Sequence, residues 1–284
     1  MKTYQACIPC IMNLMESTLG KADMDDSSRQ AVLDNFKEDW IKADMSLPPA
    51  RTAGLIYQKV LQEIDKDDLF RAHKTSSIRE NLKLYPLLKK LVEQAPDPLD
   101  AAIRISALGN ILDAANPNSY DIDEEITQLF DDKIRGDSLE FFREKLTEVD
   151  SLLVLADNAA EAVFDRVLIE TLDVPVIYVV KSAPAFDDAL LADARQAGID
   201  QVARLLESGT PYPGTYLPSC TPSFQELYSN APLVLAKGQA NYETLSDTTR
   251  DIFFLLKVKC EVISKEIGYP KGSLTLEYKK QTPA

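Results

Sequence analysis

The stretch Leu152-Leu-Val-Leu-Ala-Asp-Asn-Ala-Ala-Glu161 decides how the rest of this chain is interpreted. Its four apolar residues, Leu152 to Leu155, are too few for a helix and enough for a buried strand. They lead directly into Asp157 and Asn158, and the apolar spacing that follows predicts an amphipathic helix as far as Leu172. A strand, a tight turn and a helix in this order place ligands at the carboxyl end of a parallel sheet. We therefore expect Asp157 and Asn158 at that end.

The strand-then-helix rhythm continues towards the C-terminus. Val174 to Val180 is a nearly continuous apolar run, which is typical of a parallel strand whose two faces are both covered. Shorter apolar runs predict further strands at 202–206, 233–236 and 252–256. The predicted fold class is α/β, with a Rossmann-like, mostly parallel sheet flanked by helices.

The N-terminal third carries helical signals without strand-like alternation. Apolar stripes at helical spacing run from Ser27 to about Ala95, and Pro86 fits the first turn of one of these helices. Most residues of the charged segment 65–74 are interpreted as a solvated linker, and His73 in it as a surface or hydrogen-bonded histidine. A Pro-rich breaker at 95–98 suggests a boundary, so we predict a helical region at 1–98 and an α/β core at 99–284.

Composition narrows the function classes. The chain has 284 residues, with 45 acidic and 31 basic side chains and a net charge of -14, which argues against nucleic acid or an anionic membrane as partner. No apolar run approaches the roughly 18 residues of a membrane span, and Asn13 and Glu16 interrupt a leader-like start. We expect a cytoplasmic protein. A single histidine, His73, makes His-rich zinc sites and Ser-His-Asp chemistry poor candidates.

The motif Cys7-Ile-Pro-Cys10 has the spacing of a redox pair or half of a zinc site. A zinc site would need two more ligands, but the other two cysteines, Cys220 and Cys260, stand far apart along the chain. The apolar residues that follow look like the first turns of a buried helix. We favour packed thiols at a helix start over metal or redox chemistry.

Polar residues follow three predicted strands: Asp157 with Asn158, Asp187 with Asp188, and Lys237 before Gly238. The carboxyl ends of parallel strands share one edge, so these groups are expected to converge. Carboxylate and amide oxygens suit Mg²⁺ or Mn²⁺, and such an ion completes its coordination with water and phosphate oxygens. Lys237 would act as a point charge on phosphoryl oxygens. A water or a carboxylate could be the nucleophile, and the sequence leaves this choice open.

A further helix is predicted from Ala101 to Ala115. It contains Gly109 and Asn110 inside an apolar pattern, which needs a reason. These two residues could allow close packing or place a polar side chain in a cleft, and the sequence leaves both explanations open.

Together these motifs resemble the damage-control phosphatase family, ARMT-like and long catalogued as a domain of unknown function. The resemblance covers nearly the whole chain and rests on the combination of its motifs, which are Cys7–Cys10, Leu108–Asp113, Ala156–Glu161 with Phe164 and Asp165, Pro184–Asp188 with Asp193 and Ala194, and Ala236–Glu243. It implies a helical N-terminal region on a Rossmann-like core. It also implies metal-dependent hydrolysis of phosphate esters, such as sugar phosphates or damaged phosphometabolites.

The resemblance also implies roles for individual residues. Asp157, Asn158 and Asp188 correspond to metal ligands, with Mg²⁺ or Mn²⁺ as the expected ion and Co²⁺ or Ni²⁺ as alternatives. Lys237 corresponds to the phosphate binder, and we expect it to serve catalysis together with Asp157 and Asp188. Further substrate-binding positions are expected in the cleft and in the signature after the lysine, namely Asn110, Asp113, Asn241 and Glu243.

This chain departs from the family pattern at three positions. The family usually has Asn-Asp where this chain has Asp187-Asp188, Gly in place of Ala160, and Thr in place of Leu190. An extra carboxylate could tighten metal binding or alter the choice of substrate, and the lost hydroxyl removes one donor near the site.

Two other functions are considered. A Rossmann-like sheet can hold S-adenosylmethionine, and relatives have been labelled protein-carboxyl methyltransferases, but Asp157-Asn-Ala-Ala160 lacks the glycines that would favour this activity. The second of these functions is that of a non-catalytic metal- or phosphate-binding module. The sequence leaves the substrate and the oligomeric state open.

Overall fold

The computed structural model describes residues 1–22, 24–41, 44–108, 130, 134–136 and 138–280. Before the sheet, the described residues form helices α1 (Cys7–Leu19), α2 (Asp26–Ile41), α3 (Pro49–Glu63), α4 (Arg71–Gln94), α5 (Pro98–Leu108) and α6 (Leu139–Glu148). The helices that alternate with strands are α7 (Ala162–Thr171), α8 (Leu191–Gln196), α9 (Pro222–Asn230), α10 (Gly238–Leu245) and α11 (Glu261–Ile267).

The strands form one mixed sheet in the order β3-β2-β1-β4-β5-β6. They are β1 (Leu152–Leu155), β2 (Val176–Val180), β3 (Arg204–Glu207), β4 (Val234–Lys237), β5 (Ile252–Lys257) and β6 (Leu274–Lys279). All neighbours pair in parallel except β5 and β6. The predicted α/β class with a mostly parallel sheet is confirmed.

The direction of chain winding reverses at β1. The chain passes from β1 to β2 on one side and returns to place β4 on the other side, so Leu153 is in register with both Ile177 and Val234. Such a reversal opens a crevice at the carboxyl ends of the two central strands, where ligands of α/β proteins bind. The loops after β1, β2 and β4 all reach this edge.

Three clusters of buried apolar side chains hold the molecule together. One lies between a face of the sheet and α4 to α8, and a second lies between the other face and α9 to α11. The third joins α1, α2 and α3 and includes Phe70 and Phe186. β1 is buried on both faces, which explains why its sequence is apolar without alternation. The predicted division at residue 98 stays a prediction. Helix α4, which lies before that residue, packs directly on the α/β part that follows it.

One prediction for the N-terminal part is wrong, and a second, made for most residues of 65–74, fails at the buried ones. Pro86 lies inside the continuous helix α4 and does not begin a helix. The buried face of that helix, including Leu88 and Val92, packs against the sheet layer, and this burial outweighs the local preference of proline for a helix start. The segment 65–74 is not simply solvated, because the Lys74 side chain is 2% exposed and pairs with Asp68.

The edge strand β6 was not predicted, although Ile252 to Leu256 was correctly placed as the last interior strand. Cys7 does begin helix α1, as expected, but the prediction that both thiols are packed is wrong for Cys10. Cys7 is half-buried and Cys10 exposed, both are free, and burial raises the pKa of each thiol. Among the described helices, none has the length and apolar character that a bilayer crossing requires.

Candidate active site

The loops after β1 and β2 are joined by backbone hydrogen bonds. Asn158 and Asp188 form an isolated antiparallel bridge. The Ala159 amide donates to the Asp187 carbonyl at 2.8 Å, and the Ala189 amide donates to the Asp157 carbonyl at 2.9 Å. The structure therefore brings the loops of all three predicted metal ligands, Asp157, Asn158 and Asp188, to one place at the carboxyl edge of the sheet.

The third loop, after β4, closes on the Asp157 side chain. Gly238, the first residue of α10, has a φ of +78°, and a Cβ atom built there would overlap the Asp157 carboxylate. Glycine is thus required twice, by the backbone conformation and by the close approach. Lys237-Gly238 and Asp157 belong to one site because of this contact.

Both carboxylates of the site are deeply buried. Asp157 is 5% exposed and Asp188 is 4% exposed. Burial raises the pKa of Asp157, and the neighbouring Asp187 adds to this shift while nearby lysines oppose it. Burial raises the pKa of Asp188 to about 8, with Lys181 opposing and Asp157 adding. The two carboxylates therefore destabilise each other's charge, an arrangement that a bound cation would stabilise.

Lys181, at the end of β2, is a site residue that the sequence reasoning missed. Its ammonium lies 3.2 Å from Asp188 Oδ2 and donates to the Ala156 carbonyl at 2.9 Å. Asp188 Oδ2 nevertheless accepts no aligned hydrogen bond from the described residues. The signal was present, because Lys181 follows the apolar run of β2 just as Lys237 ends β4.

Lys237 is 1% exposed, and its ammonium is surrounded by acceptors. It forms a short ion pair with Asp165, donates to the Ser106 carbonyl at 3.0 Å and lies 3.6 Å from Glu161 Oε2. Burial alone would lower its pKa, but Asp165 and Glu161 outweigh that effect and raise it. In this arrangement the ammonium pairs with the carboxylates of Asp165 in α7 and Glu161 in the turn before it. Its contact with a phosphate stays a prediction.

Asp165 completes this lysine cluster, and the sequence reasoning assigned it no role. Its carboxylate accepts hydrogen bonds from the Ser106 hydroxyl at 2.6 Å and from the Tyr178 hydroxyl at 2.7 Å, besides the Lys237 ammonium. Glu161, which is 1% exposed, was missed as well. Two acids four residues apart, directly after Asp157-Asn158, were the available signal, since this spacing places them on one helix face.

The predicted substrate-binding residues of α10 have structural partners. Asn241 donates from Nδ2 to the carbonyls of Lys237 at 2.7 Å and Ala156 at 3.1 Å, so it braces the ends of β4 and β1. Glu243 accepts from the Ala50 amide and from Gln239 Nε2, each at 3.0 Å.

These contacts hold α10 against the sheet edge and against α3, and substrate contact by Asn241 or Glu243 stays a prediction. Asn110 and Asp113, the other two predicted substrate-binding residues, lie outside the described residues.

The donors present fit a hard divalent cation. Asn158 donates from Nδ2 to Glu161 Oε1 at 3.1 Å, which turns its amide oxygen away from Glu161. That oxygen and the carboxylates of Asp157 and Asp188 are the ligand types that Mg²⁺ and Mn²⁺ prefer. Within the described part of the chain, no group of three or more His, Cys, Asp or Glu side chains is arranged to hold a metal. Two carboxylates and one amide leave the remaining positions to water and phosphate oxygens.

The chain is similar to known proteins over nearly its whole length. Residues 3–275 match the model of the family described as "Damage-control phosphatase ARMT1-like domain". A damage-control phosphatase of Pyrococcus horikoshii is 28% identical over 281 residues, which is 96% of this chain and 97% of the relative. A damage-control phosphatase of Archaeoglobus fulgidus is also 28% identical, over 96% of this chain and 98% of the relative.

A solved structure gives the same result. The crystal structure of a DUF89 family protein from Pyrococcus horikoshii superimposes with a TM-score of 0.91 at 27% identity, and the match covers 99% of this chain and all of that one. The likeness therefore extends over both the helical N-terminal part and the sheet.

Proposed function

This chain belongs to the damage-control phosphatase ARMT1-like domain family, and we propose from this premise that it is a divalent-metal-dependent phosphatase. Its substrates in this proposal are phosphate monoesters of small metabolites, such as sugar phosphates or damaged phosphometabolites. The phosphatase class is supported by the names of the family and of the relatives with full-length matches. Metal dependence and the type of ester are inferred from the site, and the predicted cytoplasmic location stays a prediction.

One observation carries the proposal. The loops after β1 and β2 are bridged at Asn158 and Asp188, these loops carry two buried carboxylates, and Asp188 Oδ2 lacks an aligned hydrogen bond among the described residues. Burying two like charges together is costly, and a bound cation would offset that cost. Asp157, Asn158 and Asp188 would hold Mg²⁺ or Mn²⁺. When bound, such an ion neutralises charge on the phosphoryl oxygens.

The residues of the chain itself have defined tasks in this reaction. Gly238 lets the backbone at the start of α10 approach the Asp157 carboxylate, which places the amide end of that helix beside the site. Lys181 supplies positive charge directly at Asp188. The burial of Asp157 and Asp188 limits access of bulk water and strengthens each of these interactions. A water and the Asp157 carboxylate are the two candidate nucleophiles.

The test is phosphate release from p-nitrophenyl phosphate and a panel of sugar phosphates. Mg²⁺, Mn²⁺, Co²⁺ and Ni²⁺ are added separately, with and without a chelator. We expect release that needs metal and that falls by about a thousandfold in Asp157→Ala, because a catalytic metal contributes several kcal/mol to transition-state stabilisation. Glu80→Gln, in a solvent-exposed ion pair with Lys83, is the control and should keep wild-type activity.

Other outcomes would replace the proposal. Methyl transfer from S-adenosylmethionine without phosphate release would identify a methyltransferase. Metal binding without either reaction would identify a non-catalytic binding module. Phosphate release that survives both the chelator and Asp157→Ala would contradict the assigned site.

A further inference from the structure

The loop that carries Asp187 and Asp188 is held by helices of the N-terminal part. From α3, Gln58 Nε2 donates to the Pro184 carbonyl at 2.5 Å. From α4, the Lys74 ammonium lies 3.0 Å from Asp193 Oδ2, and the same oxygen accepts from the Leu190 amide. The two ends of the loop are therefore fixed by side chains that come from outside the sheet.

Phe186 lies between these two ends, and its side chain is buried among aromatic rings of the N-terminal part. Its ring stacks on Tyr57 of α3, with centroids 4.3 Å apart and an interplanar angle of 23°, and meets the Phe70 ring edge-on at 6.2 Å. Phe186 is 4% exposed. Among the described members of the helical cluster, it alone comes from the α/β part of the chain.

The backbone of Phe186 is in an unusual conformation. Its φ is +54°, in the left-handed region that bulky side chains rarely adopt. Such a conformation costs free energy and persists only where surrounding contacts determine it. The buried ring supplies those contacts. Directly after this turn the chain reaches Asp188, whose amide donates to the Ala185 carbonyl at 3.1 Å.

We propose that Phe186 is a positioning residue, which acts through the loop and does not touch the substrate. Its ring is anchored between Tyr57 and Phe70, and this anchor maintains the backbone turn that directs Asp188 towards Asp157. The helical N-terminal part therefore contributes to the geometry of the site. The assignment of a catalytic consequence rests on the proposed metal-dependent function, whereas the placement of the loop can be tested without it.

The experiment compares two identical substitutions in the same apolar cluster. Phe186→Leu weakens the anchor. Phe36→Leu is the matched control, because Phe36 is 2% exposed in α2 and belongs to the same cluster but lies on a different element from the loop. Amide hydrogen exchange is followed at Ala159 and Ala189, whose amides make the bonds that join the two site loops. The exchange data are compared at denaturant concentrations that give equal global stability.

We expect exchange at both amides to be at least about tenfold faster in Phe186→Leu than in Phe36→Leu, because the loss is local to the loop. The metal concentration for half-maximal activity should rise by about tenfold, the usual effect of residues that orient metal ligands. Equal exchange in the two variants would overturn the proposal, since Phe186 would then contribute only to general stability.

Two further variants keep the test decisive. Tyr57→Leu removes the same ring contact from the α3 side, so it should show the same faster exchange at Ala159 and Ala189. It replaces Phe186→Leu in the test if that variant does not fold. Phe186→Gly removes backbone strain together with the ring. If Phe186→Gly kept wild-type protection at Ala189, the turn alone would place the loop and the anchor would be unnecessary. An inactive wild-type protein would contradict the proposed phosphatase but leave the exchange result valid for the loop.

Discussion

Two buried lysines end the strands on either side of β1, and their surroundings differ. The Lys237 ammonium has Asp165, the Ser106 carbonyl and Glu161 around it, and Asp165 is further bound by two hydroxyl groups. Lys181 faces Asp188, whose Oδ2 atom lacks an aligned hydrogen bond among the described residues. The Asp165 carboxylate of the first cluster accepts several aligned hydrogen bonds, whereas Asp188 Oδ2 in the second has the Lys181 ammonium at 3.2 Å without an aligned hydrogen bond.

We interpret this difference as the one between a structural ion cluster and a candidate ligand site, although the charged side chains of both are buried. Buried polar groups in folded proteins are almost always satisfied, so an exception requires an explanation. Asp188 Oδ2 is one of several such atoms in the described part of the chain, and it lies at the crevice where the strand order reverses and where α/β proteins bind ligands. If the comparison is correct, removing an acid from each cluster should affect stability differently.

The largest expected effect is in the first cluster. Asp165→Asn should lower the free energy of unfolding by about 3–5 kcal/mol, because it leaves the Lys237 ammonium buried without its main counter-ion. Urea denaturation would measure this loss. Glu80→Gln breaks an exposed ion pair and should change stability by less than about 1 kcal/mol. A similarly small effect for Asp165→Asn would show that Lys237 is not held as described.

An intermediate effect is expected for an acid bound by neutral donors. Burial raises the pKa of Glu243 from 4.5 to about 7, against hydrogen bonds from Gln239 and Ala50 that lower it. The folded protein then binds a proton more tightly than the unfolded chain, so this contribution to stability is present below pH 4.5 and is lost as the pH rises through 7.

The measurement is the difference in unfolding free energy between Glu243→Gln and wild type, followed from pH 4.5 to 8. It should shift in favour of the variant as the pH rises, by at most about 3 kcal/mol, since one pKa unit corresponds to about 1.4 kcal/mol. A difference that is independent of pH would contradict the raised pKa of Glu243.

The smallest effect on stability is expected in the second cluster. In metal-free protein, Asp188→Asn should change the unfolding free energy by less than about 1 kcal/mol or increase it. The substitution removes the repulsion between two buried carboxylates, and we expect this gain to offset the loss of the Lys181 counter-ion, because residues that serve function are often unfavourable for stability. Urea denaturation in chelator gives the value. A loss close to that of Asp165→Asn would make Asp188 a structural counter-ion and remove the contrast.

The sequence allowed the central sheet to be predicted because its strands are covered on both faces. Continuous apolar runs therefore marked β1, β2, β4 and β5 to within two residues. The edge strand β6 carries a weaker signal, because its later residues are only partly buried. Pro86 and Lys74 misled the prediction for a shared reason. The preference of Pro86 for a helix start and the charge of Lys74 are local properties of the sequence. The burial of α4 against α7 and the pairing of Lys74 with Asp68 and Asp193 arise only in the tertiary structure.

The candidate site was predictable where chemistry and position coincide in the sequence. Asp157 and Asn158 closely follow β1, and Asp188 lies in the loop after β2, so these loops were expected to meet, and the structure bridges them. Asp165 and Phe186 could not be recognised this way. Asp165 sits within an ordinary amphipathic helix, and the role of Phe186 depends on a ring in α3 that is more than 120 positions earlier in the chain.

The most direct test of the account is Mn²⁺ binding by titration calorimetry to wild-type protein, Asp188→Asn and the Glu80→Gln control. Wild type and control should bind one ion with equal affinity. Asp188→Asn should bind at least about a hundredfold more weakly, at or beyond the limit of effects from residues that do not touch the metal. Equal affinity in all three proteins would show that Asp188 is not a ligand and would contradict the metal site on which the proposed function depends.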